Sequence, residues 1–116
     1  MIHSTHMDNL KDKKCVPCED KDFPPLTPAQ AHEFMEHVPL WSITDDCAEI
    51  YRTFRFKNFK DALSFTNKVG MLAEAEQHHP DIALAWGKVE VRLSTHSIGG
   101  LSENDFIVAV KTDLIA

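Results

Sequence analysis

The sequence has few of the features that mark several common classes of protein. Only four of its 116 residues are glycine and 43% are hydrophobic, which excludes low-complexity and disordered chains. No apolar run approaches the roughly 20 residues that span a bilayer, and the polar start "MIHSTHMDNLKDKK" lacks the apolar centre of a signal peptide. We therefore expect a globular protein in the cytoplasm, without contact to a membrane.

Basic residues are also scarce. The chain has 12 lysines and arginines against 18 acidic residues, a net charge of -6. A negative protein repels the phosphate backbone, so direct binding to nucleic acid is not expected. A length of 116 residues corresponds to one domain, because single cores form at about 100–150 residues.

The three cysteines, Cys15, Cys18 and Cys47, are too few for a disulfide scaffold and fit a reducing compartment. The "CVPC" segment has the spacing of a redox or metal-binding pair, and His3 and His6 could complete a zinc site. The spacing of His3 and His6 relative to the two cysteines matches none of the usual zinc-finger patterns. We therefore favour a leader without a chemical role.

The leader is predicted to be a flexible segment over residues 1–24, followed by one domain over 25–116. The boundary lies at "DFPPLTPAQ", where paired prolines favour extended backbone. Thr27, Pro28 and Gln30 fit the N-cap, N1 and N3 positions of a capping box. The helix that follows has an apolar face at helical spacing, formed by Ala31, Phe34, Met35 and Val38.

Four segments have the character of strands: "LWSI", "AEIYRTFRFK", "ALAW" and "KVEVRLST". A second helix is predicted between the two pairs, capped by Asn58 with Asp61 and ending near Glu76, and Ser102 with Asp105 begins a third. The order α-β-β-α-β-β-α predicts an α+β fold, a four-stranded antiparallel sheet with the helices packed on one face.

Three histidines lie at the ends of predicted elements. Glu74 and His78 are four residues apart, so a continuing helix would place them on one face and let the carboxylate orient the imidazole. On the same helix, the side chain of His79 would point about 100° away from that of His78, which favours separate roles for the two histidines. His96 follows Thr95 at the end of the fourth strand, before a glycine-containing loop. We expect the helix end and the strand end to meet at a pocket.

Imidazoles titrate near pH 6.5, so one histidine can accept a proton while another donates one, as an elimination requires. Spacing alone leaves other interpretations open. The histidine pair could be a solvated helix end that interacts with the helix dipole. Asp105 could be only a helix cap, and Glu74, His78 and His96 could form a two-histidine, one-carboxylate metal site.

The segments "AEAEQHHP", "WGKVEVRLSTH" and "GGLSENDF" together resemble the pterin-4a-carbinolamine dehydratase family, over about residues 25–113. The matching residues are Glu74, His78, His79, Pro80, Thr95, His96, Gly100, Leu101, Ser102 and Asp105. The resemblance implies a hydro-lyase that eliminates water from 4a-hydroxytetrahydropterin to give quinonoid dihydropterin, in tetrahydrobiopterin recycling. It implies no metal and no organic cofactor.

The resemblance also implies roles for individual residues. His78 and His96 would be the acid/base groups, and Glu74 would hold the first histidine. The substrate-binding group would comprise His79, Pro80, Thr95, Ser97 and Asp105. A homodimer or homotetramer is expected, and the alternative function is that of a non-enzymatic dimerisation cofactor of a transcription factor.

Overall fold

The structure is a computed structural model that describes residues 10–15 and 24–116. Its helices are α1 (Pro28–Met35), α2 (Phe59–Glu76) and α3 (Glu103–Ile115), and its strands are β1 (Ser42–Ile43), β2 (Ile50–Arg55), β3 (Asp81–Ala85) and β4 (Lys88–Leu93). The strands form one antiparallel sheet in the order β1-β2-β4-β3. The predicted fold and order of elements are confirmed.

Each helix begins at the residue that the sequence predicts. The Thr27 hydroxyl accepts the Gln30 N–H at 3.2 Å, and the Gln30 side chain accepts the Thr27 N–H in return. The Asn58 side chain accepts the Asp61 N–H at 2.7 Å. These caps satisfy backbone donors that the first turn of a helix leaves without a partner, so the helix start is a local property of the sequence.

The core lies between one face of the sheet and the three helices. Alternate residues of β2 and β4 point into it, and helices α2 and α3 contribute their apolar faces. The buried residues of these four elements include Ile50, Phe54, Val89, Val91, Leu93, Phe65, Val69 and Phe106. The opposite face of the sheet is polar, and there the Arg92 guanidinium lies 4.5 Å from the centre of the Tyr51 ring.

Part of the predicted leader packs against the domain. Residues Leu10–Asp12 form a 3₁₀ helix whose Leu10 side chain is buried in the core. The Cys15 N–H donates a hydrogen bond of 2.9 Å to Glu76 at the end of α2. The boundary between residues 1–24 and 25–116 stays a prediction, and the proposed zinc ligands His3, His6 and Cys18 lie outside the described residues.

The loop before α3 approaches the chain before α1 closely at Gly100. A Cβ atom on Gly100 would lie 2.8 Å from Cβ of Pro25, whereas one on Gly70 in α2 would meet nothing within 4 Å. We expect Gly100→Ala to lower the free energy of unfolding by about 1–2 kcal/mol, because the added methyl group would overpack against Pro25. The loss should not be larger, because Pro25 is exposed and can move. Gly70→Ala should raise it by about 0.5–1 kcal/mol, because alanine favours helix. Urea unfolding tests both, and a Gly100→Ala protein as stable as wild type would contradict the close contact.

Within residues 10–15 and 24–116, none of the helices combines the length and the apolar composition of a membrane-spanning segment.

Candidate functional site

The end of helix α2 directs the two adjacent histidines. Gln77 has left-handed backbone angles, φ 55° and ψ 37°, and its N–H bonds to the Glu74 carbonyl. The His78 N–H bonds to the Ala73 carbonyl at 3.1 Å, which completes a Schellman C-cap. The left-handed residue turns the chain away from the helical path, so His78 points towards α3.

His78 forms a close contact with a buried carboxylate on α3. Its Nε2 lies 2.7 Å from Oδ1 of Asp105. The Asp105 side chain is 0% exposed and the His78 side chain is 11% exposed. The imidazole is therefore held at the edge of the protein interior by a group that solvent does not reach.

Glu74 contacts the second histidine, so the predicted pairing of Glu74 with His78 is wrong. Nε2 of His79 lies 2.9 Å from Oε1 of Glu74, and both side chains are more than half exposed. The helix ends at Glu76, so the i, i+4 geometry that would join Glu74 to His78 is not maintained. The hydrogen bond with His79, followed by its charge, lowers the pKa of Glu74.

The same buried carboxylate holds the segment that carries the third histidine. The Thr95 hydroxyl donates to Oδ2 of Asp105 at 2.8 Å, and the Ser102 N–H donates to the same oxygen at 2.9 Å. Thr95 is paired with Gly100 through the short bond from its N–H to the Gly100 carbonyl, 2.7 Å. His96 follows Thr95 at once and begins an exposed 3₁₀ turn. Asp105 thus connects the end of α2 with the end of β4.

The structure brings three of the predicted site residues together. His78, Thr95 and Asp105 belong to one hydrogen-bond network. His79 and Glu74 form an exposed pair, Pro80 is half-buried before β3, and Ser97 is exposed in the 3₁₀ turn. Among the residues that the structure describes, no three histidine, cysteine, aspartate or glutamate side chains are grouped to hold a metal ion.

Sequence reasoning missed two contacts of this region. It did not place His78 against Asp105, because the two residues are 27 positions apart and no local pattern relates them. It also missed Glu76, a buried carboxylate whose Oε2 accepts a 2.6 Å hydrogen bond from Lys111. The only local signal was the position of Glu76 at the predicted end of helix α2.

Cys15 lies beside this buried carboxylate. Burial, followed by the negative charge of Glu76, raises the pKa of the Cys15 thiol to about 12. A thiol with such a pKa remains protonated near neutral pH, whereas nucleophilic attack and metal binding require the thiolate. The environment of Cys15 therefore favours a structural role over the redox or metal-binding alternative.

Comparison with known proteins identifies the family. The family model described as "Pterin 4 alpha carbinolamine dehydratase" matches residues 24–115. A relative from Methylococcus capsulatus is 50% identical over 108 residues, 93% of this chain and 94% of its own length. One from Halorhodospira halophila is 52% identical over 107 residues, covering 92% and 97%. Both are provisionally named as pterin-4-alpha-carbinolamine dehydratase.

Two solved structures have the same architecture. A transcriptional coactivator/pterin dehydratase from Brucella melitensis is 35% identical with a TM-score of 0.75, over 79% of this chain and 98% of that one. A pterin dehydratase-like protein identified as a RuBisCO assembly factor of the alpha-carboxysome is 21% identical with a TM-score of 0.59, over 69% and 93%, and shows the fold alone. Because the family model matches residues 24–115 and two relatives are 50% and 52% identical, the chain belongs to the pterin 4 alpha carbinolamine dehydratase family.

Proposed function

We propose that the protein eliminates water from 4a-hydroxytetrahydropterin to give quinonoid dihydropterin, with His78 and His96 as acid/base groups. The observation that carries this proposal is the position of Asp105. One buried carboxylate contacts His78 and also Thr95, the residue before His96. Two histidine-bearing segments that are distant in sequence are thereby fixed to one point of the fold.

The reaction needs two proton transfers and no change of oxidation state. The C4a–O bond breaks, and the departing hydroxyl takes a proton from the acid and leaves as water. The base removes the proton from N5, and the electron pair of the N5–H bond forms the C4a–N5 double bond. Two histidines supply both transfers near neutral pH.

The remaining site residues divide by exposure. His79, Pro80 and Ser97 retain contact with solvent and are proposed to bind and orient the pterin. Thr95 and Asp105 are buried, and we propose that they support the site from within the protein rather than contact the substrate. Glu74 is proposed to act only through His79, since it pairs with that exposed side chain.

A dehydratase assay tests the function. Chemically generated 4a-carbinolamine is mixed with the protein, and formation of the quinonoid dihydropterin is followed by stopped-flow absorbance. We expect a rate above that of the uncatalysed dehydration, unchanged after dialysis against a chelator. A rate equal to the uncatalysed one would overturn the proposal, and loss of the rate with the chelator would show that a metal ion takes part in the reaction.

The alternative is a binding function without catalysis. The Brucella melitensis structure is described as a transcriptional coactivator as well as a pterin dehydratase, which gives this alternative a specific basis. The assay decides between them, because a binding protein would not accelerate dehydration. A role in tetrahydrobiopterin recycling, a cytoplasmic location and a homodimer or homotetramer also stay predictions, the last of which light scattering measures.

A further inference from the structure

We propose that Asp105 is a positioning residue that fixes His78 in the Nε2–H tautomer, so that Nδ1 is the nitrogen that exchanges a proton with the substrate. The inference rests on the proposed function for its catalytic consequence. Its structural part, the position of the proton on the imidazole, is measurable without any assay of activity.

The hydrogen-bond partners of Asp105 determine where the proton lies. An ionised carboxylate only accepts hydrogen bonds. Its Oδ2 accepts from the Thr95 hydroxyl and the Ser102 N–H, and its Oδ1 lies 2.7 Å from Nε2 of His78. The hydrogen in this last contact therefore belongs to Nε2, and in a neutral imidazole the lone pair is then on Nδ1.

The other side of the imidazole is available to a ligand. Within the described chain, the hydrogen bonds of the His78 ring involve Nε2 alone, and no buried side-chain nitrogen or oxygen is left without a partner. The His78 side chain retains 11% exposure. Nδ1 therefore lies where the ring reaches solvent, which is the position that a substrate would occupy.

The backbone donor of Ser102 makes the tautomer testable by one substitution. An asparagine at position 105 has one accepting oxygen and one donating NH₂ group in place of two accepting oxygens. Because the Ser102 N–H requires an acceptor, the amide oxygen takes the place of Oδ2 and the NH₂ group faces Nε2 of His78. Nε2 then becomes the acceptor and the proton moves to Nδ1. Asp105→Asn thus keeps the shape of the network and inverts the tautomer.

Nitrogen NMR of the imidazole gives the direct test. Long-range ¹H–¹⁵N correlation spectra of ¹⁵N-labelled protein at alkaline pH, where imidazoles are neutral, distinguish the two tautomers. His78→Gln identifies the signals. We expect the Nε2–H pattern in the wild type and the Nδ1–H pattern in Asp105→Asn. Asp113→Asn, which removes a carboxylate of the same helix that contacts Trp41 and Arg52, should leave the pattern unchanged.

Kinetics tests the consequence for catalysis. Asp105→Asn should lower kcat by on the order of 10²-fold. In this variant Nδ1 of His78, which faces the substrate, already carries a proton in the neutral ring and cannot accept one. In a His78→Ala background the same substitution should cost nothing further, since Asp105 acts through His78. Independent losses in the two backgrounds, or an Asp105→Asn protein within twofold of wild type, would overturn the role.

The two proposals fail differently. An Nδ1–H pattern in the wild-type spectrum would overturn the inference, whether or not the protein is active. This measurement is made on the wild-type protein, so it does not depend on the folding of an Asp105 variant. A wild-type protein without dehydratase activity but with the expected Nε2–H pattern would overturn the proposed function and leave the tautomer assignment standing.

Discussion

Replacing His78 with alanine is expected to lower the kcat of the dehydratase reaction by about 10²–10⁴-fold, the range that a positioned acid or base contributes. The side chain is held by a buried carboxylate at 2.7 Å, so its orientation does not have to be established when the substrate binds. His96→Ala should cause a loss in the same range, because the reaction needs both an acid and a base. Stopped-flow measurement of kcat with chemically generated substrate checks both values.

The matched control is Glu74→Gln, which removes a charge from the same end of α2. Because Glu74 and His79 are mostly exposed, their interaction is screened by water and its loss should change kcat by no more than a few-fold. A Glu74→Gln loss as large as that of His78→Ala would show that this carboxylate takes part directly. Full rates in both His78→Ala and His96→Ala would exclude these histidines as the acid and the base.

The fold was largely predictable because its signals are local. Thr27 and Asn58 each bond to a backbone N–H three residues ahead, so adjacent sequence alone determines where these helices begin. The alternation along β4 places Val89 and Val91 in the core. The docking of Leu10 was not predictable, because one apolar residue in a polar segment has no periodicity to indicate burial.

The site was less predictable because its contacts depend on one turn and on tertiary packing. The helix was expected to end near Glu76, but the left-handed turn that follows was not, because glycine or asparagine usually occupies that conformation and the residue here is Gln77. Only the packed position of α3 brings Asp105 to that histidine. The resemblance named the candidate residues, and only the structure shows which of them contact each other.

The end of α2 also depends on Glu76, a buried carboxylate two residues before His78. Its Oε2 accepts from Lys111 at 2.6 Å and lies 3.8 Å from Nζ of Lys14. Its Oε1 accepts the Cys15 N–H at 2.9 Å. Glu76 therefore joins helix α2, helix α3 and the packed part of the leader.

We expect Glu76→Ala to lower the free energy of unfolding by about 3 kcal/mol, because it leaves the charge of Lys111 and the Cys15 N–H without their acceptor. The estimate is at the low end for a broken buried ion pair, since the Lys111 side chain is still 17% exposed. Urea unfolding measures the change. The control is Glu49→Ala, which breaks the more exposed pair with Arg92 and should cost less than about 1 kcal/mol. Equal losses in the two variants would contradict the importance of burial at Glu76.

The pH dependence of stability distinguishes the charge of Glu76 from its shape. Burial alone would raise the pKa of Glu76, but the hydrogen bonds from Lys111 and Cys15 and the lysine charges outweigh it and lower the pKa below its usual value. A carboxyl with a lowered folded-state pKa contributes stability above its unfolded pKa, near 4.3, and loses it as the pH falls through the folded value.

Glu76→Gln keeps an acceptor for the Cys15 N–H and removes the charge. Its stability deficit relative to wild type should therefore be full at pH 6–7 and shrink below about pH 4. A deficit that is constant from pH 7 to pH 3 would show that the shape of the side chain, and not its ionisation, holds the end of α2 in place.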